Sequence, residues 1–491
     1  MVHTINHCRR NSFKIRCDYK QKMRLKTEFR ICFERNAVIM LNTFSLANSQ
    51  LLPLNPVIEQ DAEKKRLYYK WLLKYVRITK LHRRRMLKAK LDAYKGMLTD
   101  NGEKQPMDKV NADTSIDALG SIRYLLVLDF IHIIGYDFQE LKSNPTVCGR
   151  ITNVINQIQH DLQLSKKVKQ NLTDAILEGK SLQPLLEKKP FCDFPEYGKH
   201  LMQNSVFVSS GKPAAVLVTA TMSAGKSTFI NAITGKKICR TQNMACTSKI
   251  HTIISKPFED GCITKYDGSL LMDASRDDLM ENSEKNLKDV IFVSTYLQGE
   301  LSGKQMILRD SPGVNASQNA EHKHLTERCI IKGEYDLLIF ILNGEHLRTE
   351  DEERHLKFVL KHVPSDKIMF VVNKADNFYS SEEDLNATLS RQREYLNRLG
   401  FSNPLLYQVS DEDEFLAKTA SKEELSRYDR RRMENECDKL EILDLPSYYK
   451  ASPFRLKLPE IQDGSDAEML LRYSGIPFVE KAIERRIENH R

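Results

Sequence analysis

The sequence predicts an α/β domain with a mostly parallel central sheet flanked by helices, preceded by an all-α helical domain. Three observations lead there. The apolar run Ala214 to Val218 enters Ala220-Thr221-Met222-Ser223-Ala224-Gly225-Lys226-Ser227-Thr228, after which Phe229, Ile230, Ala232 and Ile233 supply an apolar helix face, so the segment reads as strand, turn and helix. Four more short apolar runs follow: Met306 to Arg309, Leu338 to Asn343, Lys367 to Val372 and Leu405 to Val409. Upstream, between Asp61 and Leu98, Leu67, Trp71, Tyr75 and Ile78, then Leu87, Leu91, Tyr94 and Leu98, recur at three- and four-residue steps that predict a long helix.

The first strand–turn–helix unit has the residue types of a phosphate loop. Backbone N–H groups curl around phosphates, Lys226 brings a compact positive charge to the β and γ groups, and the Ser227 hydroxyl can ligate Mg²⁺. The candidate nucleotide-binding residues are Ser223, Ala224, Gly225, Lys226, Ser227 and Thr228. Ala220 stands where the usual pattern has its first glycine, so that position must use a backbone geometry that a methyl group tolerates.

The second run delivers Asp310-Ser311-Pro312-Gly313. Its carboxylate can hold a Mg²⁺-bound water and the Gly313 amide can meet a γ-phosphate. The fourth run delivers Asn373-Lys374-Ala375-Asp376. Asp376 can accept both the ring N–H and the exocyclic amine of guanine, whereas adenine would leave a buried acceptor facing another acceptor. The Lys374 stem packs along the base in this reading, and Ser410, ending the last run, lies in the loop that closes over it. Between the phosphate loop and Asp310, Thr247 is the candidate switch threonine, reaching Mg²⁺ and the attacking water only while the γ-phosphate is present. Thr241 and Thr252 compete for that role.

These motifs resemble the dynamin superfamily, especially bacterial dynamin-like GTPases. The matching residues are Ser223-Ala224-Gly225-Lys226-Ser227, Ile230-Asn231-Ala232-Ile233, Thr247, Asp310-Ser311-Pro312-Gly313 and Asn373-Lys374-Ala375-Asp376, and the likeness runs from about Ala214 to Ile483. The resemblance implies a P-loop GTPase domain that uses GTP and Mg²⁺. Val314 stands where Ras-like GTPases carry a water-orienting glutamine. The resemblance therefore gives Ser223 and Thr247 the work of positioning water and a monovalent cation (K⁺ or Na⁺), alongside Lys226 and Gly313, with hydrolysis dependent on docking of a second GTPase domain. The metal set it implies is Ser227, Thr247 and Asp310.

Domain expectations follow. Residues 1–60 are a basic, poorly ordered segment, with Met40 an alternative start; 61–200 form the helical domain, interrupted by a polar linker from Asn101 to Asp117; 201–491 form the GTPase domain, with a charged insertion at 411–464 and a closing helix at 466–488. Large dynamin-like proteins continue into long stalk helices beyond this point. The expectation is that the front and closing helices form a reduced stalk-like bundle, or that a partner dynamin-like chain acts with this one.

Composition narrows the partners. Residues 1–100 hold 23 Lys plus Arg against 8 Asp plus Glu, a charge of +15 in a chain whose total is +9, so the basic character belongs to the front. Arg83, Arg84 and Arg85 could face anionic lipid or nucleic acid, although charge runs on helices are more often solvated faces. No window reaches the ~18 apolar residues that span a bilayer, and the basic start lacks the apolar segment of a signal peptide. The ten cysteines lack any Cys-x-x-Cys pair, which points to free thiols in a reducing, cytoplasmic setting, peripheral to membrane where it meets one, rather than to zinc or disulfides. Two readings compete with a self-associating hydrolase: a nucleic-acid- or ribosome-associated GTPase switch, and a module that holds GTP without turnover.

Overall fold

The computed structural model describes residues 46, 48–98, 115–139, 143–209, 212–239, 250–280, 290–312, 320–380, 384–420, 425–445, 447 and 464–489. Thr247, Gly313, Val314, Thr241 and most of the basic front segment lie outside the described residues, as do residues 101–114 of the expected linker.

The front region is helical, as expected: α1 (Ala62–Thr79), α2 (Arg85–Leu98), α3 (Leu125–Gln139), α4 (Pro145–Asp161), α5 (Lys166–Leu177), the short α6 (Gln183–Leu186) and α7 (Pro195–Ser209). The long helix expected from Asp61 to Leu98 is two helices. Thr79 turns its hydroxyl onto the Val76 carbonyl at 2.6 Å and accepts from the Leu81 amide at 3.0 Å, and Lys80 adopts a left-handed φ of 60°. These local bonds compete with the helix ladder and stop it. Arg83 and Arg85 are exposed at the break.

The second region is built on a nine-stranded sheet. In chain order it comprises β1 (Ala214–Ala220), α8 (Lys226–Thr234), β2 (Ile250–Ser255), β3 (Thr264–Tyr266), β4 (Leu270–Leu271), α9 (Arg276–Met280), β5 (Val290–Thr295), β6 (Met306–Asp310), α10 (Ala320–Lys332), β7 (Leu337–Asn343), α11 (Glu350–His362), β8 (Ile368–Asn373), α12 (Leu385–Leu399), β9 (Leu406–Gln408), α13 (Asp411–Ala420), α14 (Arg427–Leu443), α15 (Asp466–Tyr473) and α16 (Ile476–Asn489). The strand order is β4-β3-β5-β2-β6-β1-β7-β8-β9. From β6 to β9 all neighbours are parallel, while β2 runs antiparallel to β6, and β3 antiparallel to both β4 and β5.

Both faces of the parallel part are covered, which explains why its strands read as unbroken apolar runs rather than alternating ones. Val216 and Val218 face a core shared with Ile230 and Ile483, whereas Ala215 and Leu217 face one shared with Leu356 and Leu389. One front helix, α2, also packs against the sheet. Met86 and Ala89 of α2 pack with Ile254, Leu270 and Phe292 of its antiparallel edge.

The closing helix expected from Asp466 to Glu488 is also divided. Gly475 takes a φ of 83° between α15 and α16, a conformation that favours glycine.

Candidate functional site

Parallel strands end on one side of the sheet, and ligands of such sheets sit outside those carboxyl ends. Here β1 delivers the phosphate loop, β6 delivers Asp310, and β7 and β8 end in Asn343 and Asn373, which are register partners.

Ala220 resolves the departure at the loop's start. It ends β1 paired with Ile341 and is not among the positive-φ residues, so its methyl group costs nothing. The left-handed positions fall later, at Ser223 (φ 61°) and Gly225 (φ 85°). At Gly225 the need for glycine is also steric, because a Cβ there would collide with the Asn373 amide nitrogen.

Two asparagines hold the loop from beneath. Asn373 donates to the Ala224 carbonyl at 3.1 Å and Asn343 donates to the Ser223 carbonyl at 3.3 Å. Asn343 was legible only as a strand end; its signal is that adjacent parallel strands finish in the same residue type.

At the head of α8, Lys226 is buried and ion-paired with fully buried Asp310. The Asp310 Oδ2 atom has no hydrogen-bond partner among the described residues, and Ser227 lies in the first turn of α8. An unpartnered buried carboxylate oxygen and a hydroxyl are donors that a hard divalent cation such as Mg²⁺ uses. The residues present therefore fit that ion.

Around Asp376 the arrangement is more acidic than the motif implied. Burial pushes the Asp376 carboxyl up, with Glu436 and Glu412 adding repulsion. Burial raises Asp413 to about 7, with the Asp376 and Glu436 carboxylates adding to it, while Arg432 at 3.6 Å and Ser410, whose hydroxyl bonds it, oppose the rise. Asp411 is also raised by burial and by Asp376, and its Oδ2 has no hydrogen-bond partner among the described residues. Lys374, at φ 62°, is ion-paired with Glu345, and Asn377 donates to the same carboxylate at 2.8 Å.

The segment expected as a charged insertion belongs in part to this site. The Ser410 amide donates to the Ser474 carbonyl at 2.8 Å, and the Ser474 hydroxyl donates to Glu414 at 2.6 Å. Lys418 on α13 then bonds Glu480 of α16 at 2.7 Å and the Ala232 carbonyl at the end of α8 at 2.8 Å. The base-side loop, the phosphate-loop helix and the last helix are thereby joined through one buried lysine.

The structure brings together Ser223, Ala224, Gly225, Lys226, Ser227 and Thr228 with Asp310 on one side, and Asn373, Lys374, Asp376 and Ser410 on the other. Thr247 and Gly313 are outside the described residues, so their proposed roles rest on sequence alone.

Residues 216–376 match the family model described as "Dynamin family". A probable transmembrane GTPase, FZO-like, chloroplastic, from Arabidopsis thaliana is 24% identical over 248 residues, covering 50% of this chain and 23% of that protein. Dynamin-like protein A of Bacillus subtilis (strain 168) is 23% identical over 270 residues, covering 53% of this chain and 22% of its own length. The chain thus matches less than a quarter of the length of either relative. A solved structure of an oligomerised bacterial dynamin pair aligns over 80% of this chain and 61% of its own, with 15% identity and a TM-score of 0.35. The family match falls on the segment that carries the phosphate loop, Asp310 and the Asn373–Asp376 motif, and over that segment the findings support a dynamin-superfamily GTPase.

Proposed function

We propose that the chain binds GTP with Mg²⁺ and hydrolyses it, with turnover raised by docking of a second GTPase domain. The observation that carries this reading is the bond from Asn373 to the Ala224 carbonyl. It joins the phosphate loop to the strand end that opens the motif containing Asp376, which supports a single nucleotide touching both.

Each residue then has work to do. Asp376 accepts from the guanine edge, and the Lys374 stem covers the base once it leaves Glu345. Lys226 exchanges its pairing with Asp310 for the β and γ phosphates, which frees the carboxylate for a metal-bound water. Ser227, Thr247 and Asp310 would hold Mg²⁺, which when bound spreads the charge of the transferring phosphoryl group. Ser223 and Thr247 orient water, the Gly313 amide meets the γ-phosphate, and Ser223 and Thr247 would hold a K⁺ or Na⁺ ion, which would supply additional positive charge in place of a glutamine-assisted arrangement. The other GTPase domain comes from a second copy or a partner dynamin-like chain. Contact with an anionic membrane surface is peripheral in this reading, as no helix among the described residues is long and apolar enough to cross a bilayer.

The test is GTP turnover measured against protein concentration, with potassium present and with or without anionic vesicles. The rate per molecule should rise with concentration, and Lys226→Ala should lower it by about 10²–10³-fold or more. A folded chain that neither binds nor hydrolyses GTP at any concentration overturns the proposal, and a rate constant across dilution removes the dimer.

A further inference from the structure

The antiparallel pairing of β2 with β6 places His251 directly opposite Asp310. Directly opposite residues of an antiparallel pair project from the same face of the sheet. Cys239, in the turn after α8, is fixed beside them: the Asn231 side chain accepts from the Cys239 amide at 2.8 Å and donates to the Cys239 carbonyl at 2.9 Å. Thiol, imidazole and carboxylate are all buried, and their ligand atoms lie within 4.8 Å of one another. His251 Nδ1 stands 3.9 Å from Asp310 Oδ2, the oxygen that Lys226 does not occupy.

We propose that Cys239, His251 and Asp310 form a site for a thiophilic divalent cation of the zinc type, sharing Asp310 with the GTPase centre. Zinc bonds of about 2.0 Å to nitrogen and oxygen and about 2.3 Å to sulfur put the corners of a tetrahedral site roughly 3.3–3.8 Å apart. The three ligand atoms need to close by only about an ångström to meet this. A sulfur, a nitrogen and a carboxylate oxygen, with a fourth position left for water, make a set that zinc takes and Mg²⁺ rejects in favour of oxygens. Two anionic ligands match the charge of a divalent ion, and Lys226 on the other Asp310 oxygen leaves one positive charge over. A divalent ion meets one thiolate and one carboxylate in a dry interior, and the thiol proton is released to solvent as the metal–sulfur bond forms.

The consequence rests on the GTPase reading. Asp310 engaged through Oδ2 with zinc lends less charge to a Mg²⁺-bound water, so zinc should slow GTP turnover from inside the domain. Cys239 takes no part in nucleotide binding as assigned above, which allows the two sites to be separated by substitution.

The test titrates the full-length protein with Co²⁺ in the absence of nucleotide. The wild-type chain should show a thiolate-to-cobalt charge-transfer band and the visible bands of four-coordinate cobalt at one equivalent. Cys239→Ser should lose the charge-transfer band, and His251→Gln should weaken binding by at least the roughly 10–100-fold that loss of an outer-shell partner costs. In a parallel assay with Mg²⁺ and GTP, Zn²⁺ should inhibit the wild type and leave Cys239→Ser turning over at its zinc-free rate. Absence of the band from folded wild-type protein, or its persistence in Cys239→Ser, overturns the site. Equal zinc inhibition of both proteins overturns its coupling to turnover. A chain that shows the band but binds no fluorescent GTP analogue keeps the metal site and defeats the GTPase reading, so the two failures are distinguishable. Should His251→Gln fail to fold, Cys239→Ser decides the result alone.

Discussion

Asp129 in the helical region and Asp310 in the sheet region are both fully buried carboxylates, and they differ in what surrounds them. Asp129 accepts from Tyr68 at 2.8 Å, Tyr94 at 2.7 Å and Tyr197, with Asn55 bonding Tyr68 behind them. Asp310 has one oxygen on Lys226 and the other without a hydrogen-bond partner among the described residues. A closed network spends its polarity on holding α1, α2, α3 and α7 together. An open one keeps an acceptor for something that arrives later. The contrast separates a structural acid from a functional acid where burial alone does not.

Three substitutions sharpen or break that contrast. Asp129→Leu should have the largest effect, because three tyrosine hydroxyls would be left dry at about 1–3 kcal/mol each. The expected outcome is unfolding of the helical region at a denaturant concentration well below that of the wild type, followed by circular dichroism. A shift below about 1 kcal/mol would mean that water replaces the carboxylate and that the network is not closed.

Asp376→Ala comes next. On the proposed reading it removes two hydrogen bonds that guanine donates to a charged acceptor, worth about 1.5–3 kcal/mol each, and should weaken GTP binding by about 10²–10⁴-fold with little change in ATP binding. Competition titration with a fluorescent nucleotide reads this directly, and an equal loss for both nucleotides would remove Asp376 from base recognition.

The smallest effect concerns Asp413, held up at about 7 chiefly by burial, with the Asp376 and Glu436 carboxylates adding to it and Arg432 opposing. Its folded-state value lies above the unfolded one, so the folded chain binds the extra proton. The stability this gives is fully present at acid pH and is lost as pH rises through about 7. Between about pH 6 and pH 8 the loss is about 1.4 kcal/mol, and Asp413→Asn should abolish this slope in thermal melts. A variant whose melting temperature falls with pH as steeply as that of the wild type would assign the slope to another group.

The sequence carried those parts of the site that follow strands. Lys226, Asp310 and Asp376 sit behind apolar runs because each parallel strand is buried on both faces, which leaves an unmistakable hydrophobic stretch before each polar turn. What it hid depends on pairing between distant segments. Nothing in the spacing of Cys239, His251 and Asp310 shows that β2 runs antiparallel to β6, and it is this register that sets imidazole against carboxylate. Asp411 and Asp413 read as part of a charged insertion, yet α13 is held to α16 and α8 through Lys418. The break at Thr79 was hidden because helical periodicity resumes after Arg85 and masks the intervening turn.

The paired asparagines beneath the phosphate loop have a further meaning. In a trans peptide the carbonyl and the following N–H point in opposite directions. Tethering the Ser223 and Ala224 oxygens to Asn343 and Asn373 therefore turns the amides of Ala224 and Gly225 outward before any anion approaches. The ordering entropy of that cradle is met during folding, so an incoming triphosphate finds its donors already aimed and the loop has little left to rearrange.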